Sequence, residues 1–295
     1  MLINFNNKQV KGLTLTTLGV LFVIPDSLLI RLISADILTT TFWRCFFAGI
    51  VISILVLLFY RKQAQIFVKN PGINGIIFII SHGLGSLLFI ASIELTSVAS
   101  ALFILSTSPI FAAIIGKIFL KENISFRVLI TIVGALIGIS IISLGSASHS
   151  ESAKLGNLSA LFGAILLATN LTIARSTPNF SMVPATAISK FFICLCICFF
   201  ITPFSLIFAD WIYLIILGVI FVPFATILIV TGPRYITAAE VSLLILLEAI
   251  LAPLLVWYVL GENPGILTLF GGFIVISVLI ISNIIAIRNS KEKTS

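Results

Sequence analysis

Charge is what this sequence most lacks. Of its 295 residues only 9% are Asp, Glu, Lys or Arg, against 60% that are hydrophobic. A soluble domain carries roughly 25% charged residues, and a globule of this length cannot stay dissolved without that shell. A soluble enzyme, a secreted disulfide scaffold and a disordered tail are therefore excluded. Cysteine is sparse too: Cys45, Cys194, Cys196 and Cys198 all sit in apolar runs, without the spacing of a zinc ribbon or a loop disulfide. The absence of a P-loop removes an ATP-driven pump within this chain, and no GxSxG or HExxH pattern marks a hydrolase. No catalytic group, cofactor or metal is expected. A cleaved signal is not expected either. The first apolar stretch runs past Pro25 and Asp26 to Ile33, longer than a signal core, and Ile33-Ser34-Ala35 matches a cleavage site poorly.

Long apolar runs are what the sequence has instead. A bilayer core of about 30 Å needs about 20 apolar helical residues. The chain divides into ten such spans, near 12–33, 37–59, 72–93, 97–117, 124–146, 156–176, 183–203, 211–232, 238–260 and 264–287. Their continuity excludes a β-barrel, whose strands alternate polar and apolar residues. The longest polar breaks are 60–71 and 147–155. Alternate loops divide the Lys and Arg residues thirteen to two, with Arg44 and Lys190 inside spans. The basic side is the cytoplasmic one, so both termini are expected there and the net charge of +7 reflects topology, not nucleic acid.

The chain also repeats itself. Gly12, Gly19, Asp26 and Arg31 of the first span return as Gly156, Gly163, Asn170 and Arg175 of the sixth. Thr40, Arg44 and Phe46 return as Thr186, Lys190 and Phe192, and Leu120-Lys121-Glu122-Asn123 returns as Leu260-Gly261-Glu262-Asn263. Five spans per unit is an odd number, so the second copy enters from the opposite side and is inverted. The expected fold is an all-α integral membrane protein of ten transmembrane helices in two inverted five-helix repeats. The repeats cover 12–146 and 156–287. An extracytoplasmic linker at 147–155 joins them, and cytoplasmic ends lie at 1–11 and 288–295.

Thr39 to Arg44 opening the second span, Thr96-Ser97-Val98-Ala99-Ser100-Ala101 opening the fourth, Ser108-Pro109-Ile110-Phe111 and then Phe119-Leu120-Lys121-Glu122 form a recognisable set. The second half answers with Ile236-Thr237-Ala238-Ala239-Glu240-Val241 and Leu260-Gly261-Glu262, though Pro109 aligns with Ala249 and the proline there stands at Pro253. In these motifs the chain resembles the drug/metabolite transporter superfamily, in its EamA-type ten-helix branch, over nearly its whole length. The resemblance implies a transporter of the cytoplasmic membrane and permits a lipid-carrier flippase.

Ionisable residues inside spans are costly and become site hypotheses by default. Asp26 and Arg44 lie at matching depth and are expected to pair. Lys190, Glu248, Asn170, His82, Ser108 and Trp43 are expected with Arg44 around a substrate site between the repeats, and depth alone would let Lys190 pair with Glu248. Acidic groups for an ammonium and basic groups for a carboxylate suit amino-acid-like solutes. The expected function is secondary transport of small organic metabolites by alternating access, with export the favoured direction and proton coupling through His82 or Glu248. The alternatives are the flippase and an intramembrane hydrolase built on Ser86 or Ser108 with His82. The expected partners are a small-molecule substrate and the lipid bilayer, with the chain a monomer or homodimer.

Overall fold

The computed structural model describes residues 8–120, 126–145, 150–177, 180–202, 204–235 and 238–292. The motif residues Lys121, Glu122 and Asn123, the pair Ile236 and Thr237, and linker residues 147–149 lie outside the described residues. Every element among the described residues is helical. The first repeat comprises α1 (Lys8–Leu32), α2 (Ile37–Phe59), a short α3 (Arg61–Lys69), α4 (Gly72–Leu95), α5 (Val98–Leu105), α6 (Ser108–Leu120) and α7 (Phe126–Gly145). The second comprises α8 (Glu151–Ser176), α9 (Val183–Ile197), α10 (Phe208–Ile215), α11 (Val222–Thr231), α12 (Ala238–Leu260) and α13 (Ile266–Glu292). With α5–α6 and α10–α11 each counted as one pass, the described residues make ten apolar helical passes. Seven stretches among the described residues are long and apolar enough to cross a bilayer by themselves.

Several of these helices depart from uniform spans for local reasons. The fourth pass breaks at Ser106 and Thr107. Their hydroxyls donate back to Phe103 O and Ile104 O, both at 2.6 Å, and Pro109 has no N–H to continue the ladder. The eighth pass carries a π-turn at Ile216–Phe221 just ahead of Pro223. The polar break at 60–71 contains a helix, because Phe67 is buried and stacks on Phe180 with ring centroids 6.0 Å apart. The break at 147–155 is shorter than expected, since Ser150 caps α8 through its hydroxyl to the Ala153 amide at 3.3 Å. Asp36 caps α2 in the same manner, accepting from the Leu38 and Thr39 amides at 3.0 Å.

Packing between the halves follows the inverted repeat. Exchanging the repeats turns the α1–α11 contact into the α8–α4 contact, and the α1–α12 contact into that of α8 with α5 and α6. Helices α2 and α9 correspond and pack against each other, as do α7 and α13. Small residues permit these approaches, since without a hydrophobic drive between helices in lipid close packing carries the association. A Cβ on Gly83 would stand 2.9 Å from Ser189 O, so only glycine lets α4 approach α9 this closely.

Candidate functional site

The pairing of α1, α2, α4 and α5 with α8, α9, α11 and α12 leaves a cavity of about 200 Å³ between the repeats. Both halves contribute polar groups to its wall, among them Asp26, Arg44 and His82 from the first, and Asn170, Lys190 and Glu248 from the second. The rest is largely aliphatic and aromatic, including Leu102, Phe78 and Phe89.

Arg44 is held by a carboxylate. Its Nε donates to Asp26 Oδ1 at 3.1 Å and its Nη2 to Asp26 Oδ2, and its guanidinium lies over the Phe89 ring at 5.7 Å. Both residues are buried, at 2% and 5% exposure. The fork geometry of a bidentate Arg–carboxylate pair suits a buried ion pair of this kind.

Lys190 is buried to 2% exposure and is therefore not reaching for an interface. Its Nζ donates to Ser86 Oγ at 2.8 Å, and Ser86 passes its own proton to His82 O at 3.0 Å. An ammonium has three donors, and among the described residues no carboxylate meets this one. The Lys190–Glu248 pair allowed by depth does not form: both line the cavity, yet Lys190 binds a serine on α4 and Glu248 makes no hydrogen bond among the described residues. His82 Nδ1 lies 2.8 Å from Ser189 Oγ, whose proton goes to Thr186 O at 2.7 Å, and the ring stacks on Phe78 at 5.5 Å. With the serine proton spent on the carbonyl, His82 is assigned as the Nδ1–H tautomer. Ser81 Oγ lies 2.6 Å from both Asn170 Oδ1 and Ile77 O, which share its single hydroxyl proton.

Two expected site residues lie elsewhere. Trp43 is not part of the cavity wall; it packs against Trp211 at 4.8 Å, with Phe42, Phe46, Phe47 and Phe204 around it. One residue along a helix is a rotation of about 100°, so with Arg44 pointing inward its neighbour faces α10. Ser108 is fully buried but does not line the cavity, whereas Ser106, within the helix break, does. Ser81, Ser86, Ser106, Phe89 and Ser189 complete the site. Phe89 could have been found in the sequence, since it stands seven residues, two helical turns, beyond His82. The serines are too common in apolar helices to signal alone. Of the cysteines, Cys194 donates weakly to Phe42 O at 3.4 Å, and no metal-holding cluster occurs among the described residues.

Comparison with known proteins places the chain. A sequence model of the EamA-like transporter family matches residues 13–144 and again 154–284. The chain belongs to the EamA-like transporter family, and so to the drug/metabolite transporter superfamily. It is a multi-pass membrane transporter of that superfamily. Its fold is similar to that of a solved structure described only as a crystal structure of a protein, with a TM-score of 0.68 at 15% identity, covering 94% of this chain and 98% of the other. No curated protein matches the sequence.

Proposed function

We propose that the chain is a secondary carrier that moves small zwitterionic, amino-acid-like metabolites across the cytoplasmic membrane by alternating access, with export its working direction. The observation that carries this reading is the Lys190 ammonium, which meets no carboxylate among the described residues, facing the same cavity as the Glu248 carboxyl, which makes no hydrogen bond among them. A solute carboxylate completes Lys190 and a solute ammonium completes Glu248, while His82 and Asn170 supply neutral polar contacts. Arg44 is held through Nε and Nη2 by Asp26 and shapes the field of the cavity. The cavity lies between inverted repeats, the arrangement that lets one site open to each side in turn. The lysine and arginine distribution supports cytoplasmic termini. Glu248 or His82 carries the coupling proton, and no cofactor is required.

The test is counterflow in proteoliposomes, with each of the common amino acids as labelled solute and a fluorescent lipid as the competing cargo. Saturable exchange of an amino acid that falls at least tenfold in Lys190→Gln and in Glu248→Gln supports the carrier. Lipid translocation without solute exchange replaces it with a flippase.

A further inference from the structure

The cavity is not equally deep towards the two ends of the bundle. Towards one end its wall continues to Ala174 and Val230, close to the last turns of α8 and α11. Towards the other, where α1 finishes, it stops near Asp26 and Leu102. Beyond these, Ile30, Ile33, Ile93, Val98 and Val256 form a buried apolar seal. Over that seal stands a polar cluster that the carrier reading leaves unused.

Arg31, at the end of α1, holds two acceptors at once. Its Nη2 donates to Thr96 O at 2.7 Å, within its own repeat, and to Glu262 Oε1 at 3.1 Å, in the other repeat. Its Nε stands 3.0 Å from Glu262 Oε2. Glu262 Oε1 also accepts the Val98 amide at 2.9 Å, at the start of α5. One carboxylate on the α12–α13 loop thus ties the second repeat to two elements of the first. The side chains of this pair are 23% and 25% exposed, so water reaches it and the tie can be broken without stranding a charge in lipid. Glu94, on the same corner within the first repeat, has a buried Oε1 without a partner, and its backbone carbonyl already receives Arg31 Nη1 at 3.4 Å.

We propose that Arg31 and Glu262 form a latch that keeps this end of the carrier shut, and that Arg31 transfers to the Glu94 carboxylate when the repeats part. The proposal rests on the carrier reading. The closed state has an inter-repeat ion pair and an idle acid; the open state has an intra-repeat ion pair and a free Glu262. Two acids competing for one arginine make the corner bistable, which a transition between two discrete states needs. The latch therefore regulates access to the cavity and takes no part in recognising the solute.

Opposite effects of the two acids test this. In a protein with its four cysteines replaced by serine, Ala249→Cys places one thiol on the cavity wall. Its rate of modification by a membrane-impermeant maleimide is read from the Arg31 side in intact cells and from the other side in inverted vesicles. Glu262→Gln should raise the rate from the Arg31 side about fivefold, the loss of one part-exposed ion pair, and Glu94→Gln should lower it about threefold. An unchanged rate in Glu262→Gln, or a change of the same direction in both, overturns the latch even if labelling from both sides shows that the carrier alternates. Labelling from one side only in every variant overturns the carrier reading and the latch with it. If Glu262→Gln does not fold, a disulfide between Arg31→Cys and Glu262→Cys gives the same decision. Oxidation should stop labelling from that side and reduction restore it, and continued labelling of the oxidised protein refutes the proposal.

Discussion

Arg44 and Lys190 occupy corresponding positions on α2 and α9, helices that pack on each other across the repeat boundary, yet their partners differ. Arg44 faces Asp26 on α1 and is bound by both carboxylate oxygens. The residue of α8 that corresponds to Asp26 is Asn170, which carries no charge and is bonded to Ser81 instead. Lys190 is left with a serine hydroxyl as its partner. The repeated unit thus carries an internal ion pair in one copy and an amide in place of the acid in the other. The repeat symmetry shapes the bundle, and its break leaves a buried cation that meets no carboxylate among the described residues. A paired charge contributes to structure, whereas an unpaired one in a cavity waits for a ligand.

The largest effect should come from breaking the paired side. Asp26→Asn or Arg44→Gln leaves one buried charge uncompensated and should cost about 3–5 kcal/mol of stability, read as loss of monodisperse folded protein in detergent. Joint replacement should recover part of that cost, because the coupling of two groups in contact makes their single effects non-additive. On the unpaired side, Lys190→Gln should retain the folded state and weaken solute binding by about 10- to 100-fold, the value of a hydrogen bond to a charged group. Asn170→Asp sharpens the comparison by restoring the missing acid. Both residues are buried, so the new carboxylate should draw Lys190 away from the solute and lower solute affinity, read in the same binding assay. The smallest effect belongs to Cys194→Ser on the same face of α9, where a weak thiol contact is exchanged for a hydroxyl; stability should shift by at most about 1 kcal/mol and transport should be unaffected.

The fold was legible because lipid imposes it. With no water to satisfy backbone groups, apolar stretches must be helices, and Gly12, Gly19, Asp26 and Arg31 against their second-half counterparts revealed the duplication. Details set by a few side chains were not legible: the break at Ser106 and Thr107 rests on hydroxyls that bond back three residues, the π-turn lies just before Pro223, and the short helix α3 is held by Phe67 against the distant Phe180. In the site, Asp26, Arg44, His82, Asn170, Lys190 and Glu248 were visible as polar residues in apolar runs, and the structure brings all six to one cavity. Trp43 was misplaced because adjacency in sequence is not adjacency on a helix. Ser108 was misplaced because the turn before it reorients the face of α6. Lys190 and Glu248 share a depth, but depth carries no information about which helices touch.

The central claim is that Lys190 is the cation that meets the solute, while Arg44 belongs to the scaffold. Thermal unfolding of purified wild-type, Lys190→Gln and Arg44→Gln proteins, each with and without a panel of the common amino acids, tests it directly, because a ligand raises the melting temperature only of a protein that binds it. The account predicts that the wild type melts higher with at least one amino acid. It predicts that Lys190→Gln melts near the unliganded wild type and no longer responds, and that Arg44→Gln is strongly destabilised before any ligand is added. A Lys190→Gln protein that keeps the full ligand response, or an Arg44→Gln protein that folds normally and loses it, would contradict the account.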